Sequence, residues 1–265
     1  MHPEFWQRQT KDKPLFPDLL WSRPENRHQA GKLLIVGGNA QGFTAPADAY
    51  RFVSEAGVGS CRVVMPDALQ KTVGKFFPEA DFAPSTPSGS FAQAALAEVI
   101  DNAFWADAVL LAGDFGHNSE TAILIERVLE KYDRTVTLTK DAVDYFTSGS
   151  STNMLRNNTL LVLSMAQLQR LGTTAHYPVA FTLTMDLLRL IEHLHEFTKR
   201  FPVTILTKHQ QTLVVAKGGQ VSTTKLAQDP TIWRLETAAH ASVWWLQNPT
   251  KPYEAISQSI FAYLL

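Results

Sequence analysis

The sequence predicts an α/β protein: a three-layer α/β/α sandwich built on a mostly parallel central sheet with an antiparallel edge hairpin. Three observations predict it. Short β-branched runs alternate with stretches of helical apolar spacing over most of the chain. The first two runs, residues 33–36 and 61–65, are joined by a helical stretch at 45–56, a βαβ unit that implies parallel pairing. Towards the C-terminus, runs at 212–216 and 221–224 flank Lys217-Gly-Gly-Gln220, a hairpin turn that puts an antiparallel edge on the sheet.

In chain order, residues 1–30 are polar and aromatic, with Pro14, Pro17 and Pro24 spaced through them. They read as an arm or lead-in helix docked on a single domain spanning 31–265. The first strand ends in Gly37-Gly38, the first helix stops at Gly57 and Gly59, and the second strand is closed by Pro66. Residues 78–89, rich in proline and serine, read as a loop. Strands follow at 108–112, 135–139 and 160–163, with helices at 119–131 and from Asp141. Leu187, Leu188, Ile191, Leu194 and Phe197 mark the longest helix, predicted over 181–200. A strand at 203–206 precedes the hairpin. Two more helices are expected, one near Thr237 with that residue as N-cap and one with Pro252 as its first residue.

With 265 residues, 45% of them hydrophobic, the chain can bury one sizeable core. A formal net charge of −1 with scattered basic residues gives no footprint for nucleic acid or an anionic membrane. The expected partner is a small molecule, a nucleotide or dinucleotide. A charged fraction of 18% is low for a soluble chain and points to a surface partly covered in a homo-oligomer. Cys61 is the sole cysteine, so no internal disulfide or thiolate cluster can form, and its apolar surroundings predict an inert thiol. The first residues lack a basic and an apolar leader region, and no apolar stretch reaches spanning length; a cytoplasmic protein is expected.

Several residues admit both a chemical and a structural reading. Asn39, in a Gly-Gly-Asn turn after a strand, either lines a cleft or only shapes the turn. Asp114 sits in a loop after a strand, where site residues collect, and also suits a turn. Asp141 either orients a ligand or caps its short helix, and Lys208 either meets a phosphate or ends a strand at the surface. His193 and His195 are two apart, so on a helix they point to different faces, which disfavours a metal site. Trp244-Trp245 reads as core or subunit contact, and His117-Asn118-Ser119 as a helix start with Asn or Ser as cap.

The order of these pieces resembles the ribokinase-like superfamily and, within it, the ATP- or ADP-dependent NAD(P)H-hydrate dehydratases. The resemblance is carried by Gly31-Lys-Leu-Leu-Ile-Val-Gly-Gly-Asn39, Thr44-Ala-Pro46 and Ala56-Gly-Val-Gly59, then by Asp107-Ala-Val-Leu-Leu-Ala-Gly-Asp-Phe-Gly116, Leu138-Thr-Lys-Asp-Ala-Val143 and Lys208. It implies a ribokinase-like fold, a nucleotide site at Gly116, Lys208, Thr237 and Ala238, and a substrate site at Asn39, Thr44, Ala45 and Asp141. It further implies ATP or ADP with Mg²⁺, and an NAD(P)H hydrate as substrate.

The departures fall where the chemistry would be. The family's Thr-Pro-His element corresponds to Ser164-Met-Ala166, and its Gly-Thr-Gly-Asp turn to Glu236-Thr-Ala-Ala239, with Ala239 in place of the aspartate base. No glycine follows Gly219, and the only later acidic residues are Asp229, Glu236 and Glu254. Alanine cannot accept a proton, and loss of a general base costs roughly two to four powers of ten in rate. The expected function is therefore a diverged, catalytically impaired relative that keeps a nucleotide or dinucleotide cleft. Two alternatives stay open: an active enzyme using Asp114 or Glu236 as base, and a structural oligomer subunit with a closed cleft.

Overall fold

A computed structural model describes residues 3–148, 155–227 and 233–264. The chain begins with β1 (Trp6–Gln9) and the short α1 (Asp18–Trp21), then β2 (Lys32–Gly37), α2 (Thr44–Glu55), β3 (Ser60–Pro66), α3 (Gln70–Val73) and β4 (Ala80–Ala83). Next come α4 (Leu96–Trp105), β5 (Ala108–Gly113), α5 (Ser119–Lys131), β6 (Thr135–Thr139), α6 (Asp141–Ser148), β7 (Thr159–Leu163) and α7 (Met165–Thr174). The last third contains α8 (Leu187–Arg200), β8 (Thr204–His209), β9 (Thr212–Lys217), β10 (Gln220–Lys225), α9 (Trp233–Gln247) and α10 (Pro252–Leu264).

The strands form one mixed sheet in the order β1-β10-β9-β8-β7-β6-β5-β2-β3-β4. From β8 across to β4 neighbouring strands are parallel, whereas β9 is antiparallel to both β8 and β10. Successive side chains of a strand face opposite sides, so a sheet covered on both faces reads as an unbroken apolar run. In β2, Leu33 and Ile35 pack with α2, α9 and α10, while Leu34 and Val36 pack with α4 and α5; all four are buried. The three-layer sandwich follows from that alternation.

Four expectations need correction. The N-terminal segment is not simply an arm, because β1 extends the sheet by pairing parallel with β10, and Gln9 hydrogen-bonds Thr224 Oγ1 at 3.1 Å and Ser257 O at 2.9 Å. The segment read as a loop at 78–89 contains β4, the opposite edge strand. The long helix begins at Leu187 rather than 181, where the Asp186 side chain accepts from Arg189 N; an N-cap of this kind contributes about 1 kcal/mol. Phe181 instead leaves the helix to stack on Tyr177 and pack against Phe197. Finally, α9 starts at Trp233, so Thr237 is not its N-cap but a buried residue of its second turn.

Other expectations hold. Asn118 caps α5 by accepting from Glu120 N, Pro252 opens α10, and Trp244 and Trp245 are buried. Cys61 is free, and burial pushes its thiol up to about 12. Among the described residues no helix is long and apolar enough to cross a membrane.

Candidate functional site

Chain order reverses direction in the sheet between β2 and β5: β3 and β4 lie to one side, and β6, β7 and β8 follow on the other. At such a switch point the loops leaving the C-terminal strand ends diverge and open a crevice. Here the two strand ends approach closely. A Cβ on Gly37 would stand 2.6 Å from Gly113 O, and Gly38 N donates to that same oxygen at 3.0 Å. Only glycine permits this contact.

Asp114 follows directly, with a left-handed φ of +58°. One carboxylate oxygen accepts from Ala45 N at 2.8 Å, supplying the N-terminal cap that α2 lacks, since Phe43 at the N-cap offers no acceptor. The other oxygen pairs with Lys140 Nζ at 2.5 Å. Lys140 is itself left-handed, at φ +54°. Asn39 is equally committed: its amide donates to Asp114 O at 2.5 Å and its oxygen accepts from Gln41 N at 2.8 Å. The structural reading of Asn39 as a turn-former accounts for both its polar atoms.

Asp141 accepts from Gly116 N at 3.1 Å rather than capping its own helix. Burial pushes its pKa up, an effect that the Gly116 N–H partly offsets. The carbonyl of Gly116 accepts from the Tyr145 hydroxyl, which in turn accepts from Asn118 N at 3.0 Å. Both backbone groups of Gly116 are thus hydrogen-bonded within the protein.

Sequence reasoning missed the residue that ties this edge together. Gln167, 3% exposed, accepts from Ser164 N at 3.0 Å and from Arg234 Nη1 at 3.1 Å, and donates to Lys140 O at 2.7 Å and Asp144 Oδ1 at 3.1 Å. The signal was present as Ser164-x-x-Gln167, a capping box at the start of α7. Asp144 also pairs with Arg170 at 2.5 Å. Lys208, at the end of β8, places Nζ 5.5 Å from the Trp233 ring centroid.

The first turn of α9 therefore carries Trp233, Arg234, Leu235 and Glu236, not the Glu236-to-Ala239 stretch expected there. Thr237, Ala238 and Ala239 are fully buried, so Ala239 is a core residue and presents no side chain to the crevice. Thr44 begins α2, as expected of a helix start beside the crevice. Glu236 is half-buried; burial raises its pKa, and its electrostatic neighbours are Glu55 and Arg51 on α2. Asp229 lies outside the described residues. His193 meets Phe181 edge-on, whereas His195 stacks on Phe5 and contacts Gly219 O, so the two imidazoles face different surroundings.

Neither a protein-family model nor a curated protein matches this sequence. Solved structures do. A ribokinase-like superfamily protein from Enterococcus faecalis V583 superposes with a TM-score of 0.76 at 15% identity, covering 100% of this chain and 88% of that one. The ADP/ATP-dependent NAD(P)H-hydrate dehydratase of Bacillus subtilis, co-crystallised with ATP/Mg²⁺, gives 0.62 at 13% identity over 91% and 80%. A phosphomethylpyrimidine kinase from Clostridium difficile 630 gives 0.54 at 11% identity over 86% and 96%. Together with the sheet order and the crevice at its switch point, these likenesses establish that the chain has a ribokinase-like α/β fold.

Proposed function

We propose that the protein is a diverged, NAD(P)H-hydrate dehydratase-like binder of a nucleotide or dinucleotide whose phosphoryl transfer is impaired. One observation carries this reading: Asp114, the carboxylate that directly follows β5 at the crevice, is committed to structural contacts. Asp114 is held by Lys140 and by the Ala45 amide, and Glu236 has Glu55 and Arg51 of α2 as its electrostatic neighbours. A base must reach the proton it abstracts. Binding has better support, because Arg234 and Lys208 put positive charge at the C-terminal edge, with Arg234 hydrogen-bonded to a neutral amide. The Bacillus neighbour was co-crystallised with ATP/Mg²⁺. With Asp114 engaged, a magnesium ion here would take its ligands chiefly from nucleotide phosphates and water.

The test combines calorimetric titration of ATP and ADP with recovery of reduced-nicotinamide absorbance from hydrated NADH. Saturable nucleotide binding, weakened about tenfold by Arg234→Met, together with no recovery, is the expected outcome. Recovery at the rate of an intact dehydratase would overturn the reading. In that event Glu236→Gln decides the active alternative, since loss of a working base lowers turnover by roughly two to four powers of ten. Absence of both binding and turnover would favour the closed-cleft scaffold, for which the Asp114–Lys140 ion pair at the strand ends is the supporting feature.

A further inference from the structure

The opposite, N-terminal edge of the parallel strands holds a second cavity, of about 370 Å³. Its walls include Thr135 at the start of β6, Asn157 and Asn158 just before β7, Lys217 at the end of β9, and Pro249 and Thr250 beyond α9. β6 alone is five residues long, so roughly 15 Å of strand separates this cavity from the crevice. The two sites share no residue.

Lys217 is the charged group of that wall. Its ammonium donates to Asn157 O at 2.9 Å, and no carboxylate lies within ion-pairing distance of it among the described residues. Burial alone pushes its pKa below the usual lysine value. A half-buried cation facing neutral amides, hydroxyls and proline is an unfavourable arrangement for the unliganded protein. The single carbonyl contact leaves two ammonium N–H groups for another acceptor.

We propose that this cavity binds a small organic anion, with a phosphate or carboxylate paired to Lys217 and held by the Asn157 and Thr250 side chains, and an apolar body resting on Pro249. The volume suits a ligand of one ring rather than a dinucleotide. Such a site is independent of catalysis at the crevice and stands whether or not nucleotide binds there.

The experiment titrates the full chain with phenyl phosphate and, separately, benzoate, with inorganic phosphate as the probe lacking a body. Bound probe is located by protection of Lys217 from reductive methylation, read by mass spectrometry. Saturable binding with protection of Lys217 is expected, reduced at least tenfold in Lys217→Met and kept in Lys217→Arg. Stronger binding of phenyl phosphate than of benzoate would identify the phosphate ester as ligand, and the reverse order a carboxylate. Unliganded Lys217→Met should be as stable as the parent or more so. Unprotected Lys217 in the parent protein at saturating probe, or undiminished binding by Lys217→Met, would overturn the proposal.

Discussion

Asp114 and Lys140 adopt left-handed backbone, a conformation that costs a residue with a Cβ about 1–2 kcal/mol. Their 2.5 Å ion pair and the Ala45 amide offset that strain, with both side chains less than one-third exposed. Asp114→Ala should therefore destabilise the fold by about 1–3 kcal/mol in urea denaturation, through loss of the cap on α2 and of the partner of Lys140. Asp114→Asn should cost less, since asparagine tolerates the left-handed region and can still accept from the amide. At this scale the sequence was partly legible. Asp114 stood out as an acid in a post-strand loop, but its partner is 26 residues away and nothing local connects the two. Gln167 went unread because a capping glutamine looks like helix grammar, while its contacts to Lys140, Asp144 and Arg234 are made only in three dimensions.

Elements were legible in proportion to how much apolar surface they bury and how regularly. The strands β2, β5, β6 and β7 are buried almost throughout and were found within about two residues. The edge strands β1 and β4 are four residues long and mostly part-exposed, so neither shows a sustained alternation. Helix α9 failed for the opposite reason: from Thr237 to Trp245 it is buried on all sides, so no amphipathic period marks its start. That burial also moves the expected catalytic register, since a residue at 239 can only pack. The contribution of β1 can be measured directly. Removing residues 1–12 deletes the Trp6–Thr223 and Gln9 hydrogen bonds and uncovers the edge of β10. The truncated chain should lose about 2–4 kcal/mol and scatter light at concentrations where the parent stays clear.

For the whole molecule, one pH dependence acts through His240, which burial holds neutral by lowering its pKa from 6.5 to about 4. Between these values the unfolded chain binds the extra proton, so stability is complete above about 6.5 and falls on acidification towards 4, by on the order of 3 kcal/mol. Asp141 and Glu236, whose pKa values burial raises, act in the other direction as pH falls through their folded-state values. Denaturant curves across this range should therefore show a flatter pH dependence for His240→Leu than for the parent, and equal slopes would refute the assignment. The parallel pairing of β1 with β10 has a temporal consequence. Trp6 and Thr223 meet across 217 residues, so β1 finds its neighbour only after that length of chain has followed it. On the ribosome the early βαβ units can assemble while β1 waits, and closing so large a loop makes this edge a late event of folding.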